Sequence, residues 1–162
     1  MTKKIPYLIF IILVAGLIYY NLPDYDYEIG AEAPDFSLAA LDGNEVSLSD
    51  YQGDKVLLMF WSGSCSSCLE SLPEIQQLSE RELADFQILT ISLTGNVEQL
   101  NEIMESNNYQ FEVLLDETNE VSEEYLVNTF PKLVVIDQQG RIESEQLGAF
   151  DYQDLEELIK DS

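Results

Sequence analysis

From Lys55 to Trp61 the chain reads Lys-Val-Leu-Leu-Met-Phe-Trp, one lysine and then an unbroken apolar run. Four residues beyond it stand the chain's only two cysteines, Cys65 and Cys68. The run lacks the alternation of a strand with one wet face, so it predicts a strand at the centre of a sheet, buried on both sides. From Ser66 to about Leu83 the spacing turns helical, with Leu69, Leu72, Ile75 and Leu78 recurring every three residues. Pro73 falls inside this helix and is expected to kink it. A doubly buried strand that opens into a helix through Cys-x-x-Cys requires a sheet with a further layer on each face.

The remaining pattern supplies those layers. Phe36-Ser37-Leu38 and Val46-Ser47-Leu48 alternate apolar and polar on either side of Asp42-Gly43, which predicts a hairpin. Ser49 to Gly53 reads as a loop. Phe86 to Ser92 is a second buried strand, and Val97 to Asn107 a helix with Leu100, Ile103 and Met104 on one face. A short strand at Val113-Leu114-Leu115 and a short helix from Asn119 to Tyr125 follow. Leu133 to Ile136 is a third strong strand. The turn at Gln138-Gln139-Gly140 leads to an edge strand near Ile142. Tyr152 to Lys160 closes the chain as an amphipathic helix with Leu155, Leu158 and Ile159 inward. Strands and helices in this order predict an α/β domain, a central mixed sheet flanked by helices, with no internal repeat.

Charge and the first residues bound the setting. The 162-residue chain has 31 acidic against 7 basic side chains, a formal net charge of -24. Such a surface argues against nucleic acid, which needs clustered Lys and Arg. It also argues against a domain lying flat on anionic lipid. Simple solvation accounts for the acidity; adaptation to a salty or alkaline exterior is the alternative. Lys3 and Lys4 precede an apolar stretch from Ile5 to Tyr20, closed by Asn21 and Pro23. With Tyr19, Tyr20 and Leu22 at the interface the stretch approaches a full membrane span. The expected organisation is a signal-anchor helix at 1–22, an acidic tether at 23–33 and one folded domain at 34–162. A cleaved signal peptide is the alternative for the first part. No cysteine lies near the segment to carry a lipid. Because no Lys or Arg occurs between Lys4 and Lys55, the positive-inside rule turns the bulk of the chain outward.

The cysteines carry the chemistry. At a helix N-terminus, unpaired backbone N–H groups and the positive end of the dipole favour a thiolate at Cys65. A thiolate is the attacking species in disulfide exchange, and a second cysteine three residues on can resolve the mixed disulfide. Two other readings stand beside this one. A zinc site would need carboxylates to complete it, since the chain has no histidine and no further cysteine. An inert structural disulfide gains little by closing so small a loop. No cofactor or metal is called for by the redox reading.

From Gly30 onward the sequence resembles the TlpA/ResA-like branch of the thioredoxin superfamily, membrane-tethered thiol–disulfide oxidoreductases of bacteria. The matching residues are Ala33-Pro34-Asp35-Phe36, Asp42-Gly43, Ser47-Leu48-Ser49-Asp50-Tyr51, Phe60-Trp61, both cysteines, Pro73, and Phe130-Pro131 through Ile136-Asp137 to Gly140. The resemblance implies a thioredoxin-like fold with an N-terminal β-hairpin extension. It implies a cis peptide before Pro131, facing the disulfide, with the backbone of Phe130 free to pair with a substrate peptide. It places Trp61 either on the active-site surface or in the core. It further implies catalytic roles for Cys65 and Cys68 and exported protein substrates, apocytochrome c among them. The implied electron source is a membrane thiol relay of the CcdA kind, with the domain outside a single-pass anchor in the bacterial cell membrane. Several positions depart from the family. Ser64 stands where the branch often has Trp, and Ser66-Ser67 replaces a dipeptide that often holds Pro. Met59 and Ser71 stand where relatives carry a buried acid that moves the proton of the second cysteine. Glu70 and Glu74 are near in sequence, but on a helix they need not point at Cys68. Two alternatives therefore remain: a tethered binding or redox-sensing module, and a peroxidase. The latter expects a Pro seven residues before the cysteine, where Leu58 stands, and a Thr or Ser three before it, where Ser62 fits.

Overall fold

The computed structural model describes residues 28–81, 84–93 and 96–160. Seven strands arise in these residues: β1 (Ser37–Ala40), β2 (Glu45–Ser47), β3 (Lys55–Trp61), β4 (Phe86–Ser92), β5 (Glu112–Leu115), β6 (Lys132–Ile136) and β7 (Ile142–Leu147). Four α-helices accompany them: α1 (Ser66–Ser79), α2 (Val97–Asn107), α3 (Glu120–Glu124) and α4 (Tyr152–Lys160). The strands form one sheet in the order β2-β1-β5-β4-β3-β6-β7. β3, β4 and β5 run parallel, while β6 lies antiparallel to β3 and β7 antiparallel to β6. The expected hairpin is β1–β2, and it attaches to the far side of β5. Its turn uses Gly43 at a φ of 88°, a left-handed conformation that suits glycine, with Asp42 accepting the Asn44 N–H at 2.9 Å.

Alternation along β3 divides the core in two. Val56, Leu58 and Phe60 point to one face and pack with Phe36, Leu89, Ile91, Val121 and Tyr125. Leu57, Met59 and Trp61 point to the other, where Cys68, Leu72, Ile75 and Leu78 of α1 cover them together with Leu100 and Leu155. A strand covered on both sides needs apolar residues at every position, which is why this run shows no alternation.

Three expectations are refined, and a fourth falls outside the described residues. Helix α1 ends at Ser79 and runs through Pro73, whose ring lies on the exposed side; the proposed end near Leu83 lies outside the described residues. The Ser49–Gly53 loop contains a 3-10 turn at Leu48–Tyr51, in which Asp50 accepts the Ser47 N–H at 3.0 Å. The domain also starts before Pro34. Gly30 N–H donates to the Ile142 carbonyl at 2.7 Å and Ala33 N–H to the Gly140 carbonyl at 2.9 Å, so this stretch is bound to the start of β7 rather than serving as tether. The Tyr125 hydroxyl holds it further by donating to the Pro34 carbonyl at 2.7 Å. The anchor expected at 1–22 lies outside the described residues. Among those residues no helix is long and apolar enough to cross a membrane.

Candidate active site

At the end of β3 the chain must leave the sheet and begin a helix within four residues, and Ser62-Gly63-Ser64 makes the turn. The Ser62 carbonyl accepts the Cys65 N–H at 3.0 Å, and the Ser62 hydroxyl oxygen accepts the Ser64 N–H at 3.3 Å. The Ser62 and Ser64 hydroxyls lie 3.0 Å apart. Gly63 sits against α2, where a Cβ would meet Ile103 and Leu100 at 3.4 Å, and its carbonyl accepts from the Gln99 amide at 3.2 Å. The turn delivers Cys65 to the N-cap of α1 with extended backbone angles. Its sulfur takes the place of a capping oxygen, accepting the Cys68 N–H at 3.2 Å. The Ser67 hydroxyl lies 3.3 Å from the same sulfur. Cys65 and Cys68 are joined in a disulfide, with Cα atoms 5.2 Å apart. The two sulfurs meet different surroundings. Cys65 is partly exposed, whereas Cys68 is 0% exposed beneath the first turn of the helix.

The peptide between Phe130 and Pro131 is cis. Phe60 of β3 pairs with Lys132 of β6, so continuing the register one step sets Pro131 beside Trp61. Trp61 is the last residue of β3 before the turn to Cys65, and the expected proline and both cysteines therefore share one end of the sheet. Pro131 is buried and its carbonyl accepts the Gly148 N–H at 2.8 Å. Phe130 is half-buried and packs against both cores.

Trp61 is corrected to a core residue. It is 0% exposed, so the indole cannot touch a docked peptide, and the substrate-binding role gives way to packing. The cause is parity: Trp61 shares the face of Leu57 and Met59, which α1 covers. Its Nε1–H is buried and finds no acceptor among the described residues.

The positions of the two family acids are filled differently. Met59 is 0% exposed in the apolar cluster that holds Cys68. Ser71 is buried, and its hydroxyl donates to the Phe150 carbonyl at 3.2 Å and accepts the Phe150 N–H at 3.4 Å. Glu70 is exposed, and Glu74 lines a surface cleft with Asp151, Tyr152 and Glu156, so neither replaces the missing acid. The buried acid among the described residues is Asp116, and it is committed to α3, accepting from the Ser122 N–H at 2.8 Å and the Ser122 hydroxyl at 2.6 Å. The residue that the sequence reading missed is Lys132, directly after the cis peptide. It is 3% exposed, donates to the Tyr125 carbonyl at 3.1 Å and pairs with Glu145 at 2.9 Å. A lone lysine between Pro131 and four apolar residues was the signal available.

Comparison with known proteins agrees with this arrangement. The AhpC/TSA family pattern matches residues 29–145. Thiol-disulfide oxidoreductase ResA of Oceanobacillus iheyensis is 31% identical over 163 residues, covering 94% of this chain and 85% of the relative. The thioredoxin-like protein YneN of Bacillus subtilis is 26% identical over 143 residues, 86% of this chain and 84% of that protein. Among solved structures, the pneumococcal exposed lipoprotein thioredoxin of Streptococcus pneumoniae superposes with a TM-score of 0.71 at 29% identity, covering 80% of this chain and all of that one. With a Cys-x-x-Cys disulfide capping α1 beside a cis proline, the chain belongs to the AhpC/TSA family and, within it, to the ResA-like thiol–disulfide oxidoreductases of thioredoxin fold.

Proposed function

We propose that this oxidoreductase works outside the cytoplasmic membrane, held by its N-terminal segment, and reduces disulfides in exported proteins. The Cys65 thiolate attacks one sulfur of a substrate disulfide, and the other substrate sulfur leaves as a thiolate and takes up a proton. The Cys68 thiolate then attacks the Cys65 sulfur of the mixed disulfide. The second substrate thiolate is expelled, and the Cys65–Cys68 disulfide closes with two electrons passed to the substrate. Phe130 and Pro131 are assigned to seat the substrate as an extended segment. A membrane thiol relay of the CcdA kind is the proposed source of electrons, and apocytochrome c a proposed substrate.

The observation carrying this reading is the contrast between the two sulfurs: Cys65 is open to solvent at a helix N-terminus, and Cys68 is wholly enclosed one turn away. One sulfur can be reached by a protein, and the other only from Cys65. The test is insulin reduction by the purified domain and by Cys65→Ser, together with the reduction potential. A value near about -270 mV supports the reductant, and one near about -120 mV reverses the direction. Labelling of Cys65 in intact cells by a membrane-impermeant thiol reagent tests the location, and a cysteine labelled only after lysis refutes it.

Met59 and Ser71, in place of the family acids, favour a second reading, a tethered module that senses redox state without turnover. Equal, negligible insulin reduction by wild type and Cys65→Ser would select it. The peroxidase alternative meets Leu58, buried in the middle of β3, where its proline is required.

A further inference from the structure

Four serines, Ser62, Ser64, Ser66 and Ser67, flank Cys65 in the sequence, and the structure distinguishes them. Ser62 and Ser64 face one another at 3.0 Å and together stabilise the turn. Ser66 is exposed, and among the described contacts it has none with Cys65. Ser67 is half-buried, with its hydroxyl 3.3 Å from the Cys65 sulfur. The direction of that contact follows from the chemistry. A disulfide sulfur carries no hydrogen, so the hydroxyl donates. On reduction the same sulfur becomes the thiolate, with the Ser67 O–H and the Cys68 N–H, at 3.2 Å, already directed at it.

We infer that Ser67 stabilises the Cys65 thiolate and sets its reactivity, a role separate from that of the missing acids, which act on the proton of the second cysteine. The inference rests on Cys65 being the attacking sulfur and deepens that reading. A hydrogen bond to a charged group is stronger than a neutral one. At this half-open site its loss corresponds to about a tenfold fall in the thiolate-to-thiol ratio at fixed pH. The consequence for rate has two signs. Below the pKa the variant has less thiolate. Above it, where both proteins are fully ionised, the less stabilised thiolate is the better nucleophile, because nucleophilicity follows basicity with a slope of about 0.4–0.5. The pH–rate curves of wild type and variant therefore cross.

The experiment compares the reduced wild type with Ser67→Ala, Ser67→Thr and Ser66→Ala. It follows thiolate absorbance against pH and the rate with hydroxyethyl disulfide, a small uncharged probe. Ser67→Ala is expected to raise the Cys65 pKa by roughly one unit, to react about threefold more slowly below both pKa values and about threefold faster above them. Ser67→Thr, which keeps the hydroxyl, should restore the wild-type curve, and Ser66→Ala should follow it. An unmoved or lowered pKa in Ser67→Ala, parallel rate curves, or an equal shift in Ser66→Ala would overturn the inference. A wild-type Cys65 inert to the probe would instead sink the proposed function, while the absorbance titration would still decide the role of Ser67.

Discussion

Cys68 lies under the first turn of α1 with no surface exposed, in the same buried apolar cluster as Met59, Trp61 and Leu72. A sulfur so placed cannot be the first to meet a protein substrate, and its task is confined to displacing what Cys65 has captured. Cys68→Ser should therefore accumulate mixed disulfides through Cys65, visible as reductant-sensitive adducts on non-reducing gels. Cys65→Ser should form none, and adducts in that variant would reverse the assignment of the two sulfurs. Lys132 poses a different question, because a buried ammonium loses its hydration and needs compensation. It finds this in Glu145, whose side chain is 22% exposed, and in the Tyr125 carbonyl. Lys132→Ala removes both partners' contacts and leaves a hole, and is expected to destabilise the domain by about 3 kcal/mol. Lys132→Met fills most of the volume and lets the half-open Glu145 regain water, at a cost of roughly 1–2 kcal/mol. Urea unfolding of the two variants measures the difference. Equal losses would show that the charge, not the space, dominates at this position.

Helix α1 is held to the C-terminal helix α4 and the residues leading into it at two places. Ser71 engages the backbone of Phe150, and Arg81, just beyond the helix, donates to the Tyr152 hydroxyl at 2.9 Å and to Glu156 at 2.8 Å. Lys160 reaches Glu156 from the other side at 3.2 Å. Hydrogen bonds from Lys160 and then Arg81 hold the Glu156 carboxyl below its ordinary range. A depressed carboxylate contributes stability that is complete above its unfolded pKa and is lost as pH falls through its folded one. Wild type and Glu156→Gln should thus differ in melting temperature at pH 7 and converge in acid. Because the site is open to water, added salt should shrink the pH 7 difference. A gap that persists at pH 3 would show a packing effect instead. These elements were legible in the sequence to unequal degrees. β3 and β6 announced themselves because burial on both faces demands apolar runs, here Val56–Trp61 and Leu133–Ile136, and α4 because one buried stripe repeats every helical turn. The pairing of Gly30 and Ala33 with β7 was not legible, since main-chain bonds place no demand on side-chain pattern. Nor was the choice between Ser66 and Ser67, identical in sequence and separated only by rotation about the helix. Trp61 stayed ambiguous for a related reason: its burial depends on what covers the end of β3, and that is decided by how α1 and the more distant α2 pack back onto the sheet.

At the scale of the molecule, the described chain begins beside Ile142, at one end of β7, and the cis proline lies beside Gly148, just past the other end. A six-residue strand spans about 20 Å, so the disulfide sits at the pole away from Gly30, near which the described chain begins. The charge is distributed with similar polarity. Against a net charge of -24, the stretches Ser62–Leu69, Asn128–Pro131 and Leu147–Phe150 around the site contain no charged residue. On the proposed reading a substrate sulfur docks among these uncharged stretches, while its approach is governed by the acidic remainder of the protein through its long-range field. Such a field reaches about 30 Å at roughly 10 mM salt and about 8 Å at roughly 150 mM. The reduced domain should therefore react faster with cystamine, a dication, than with dithiodiglycolate, a dianion, once each rate is corrected for its intrinsic reactivity with a free thiol. That corrected ratio should fall by about tenfold between the two salt levels, because screening slows the cation and speeds the anion. If both rates responded to salt in the same direction, steering by the net charge would be refuted, and selectivity would have to come from contacts at the uncharged stretches themselves.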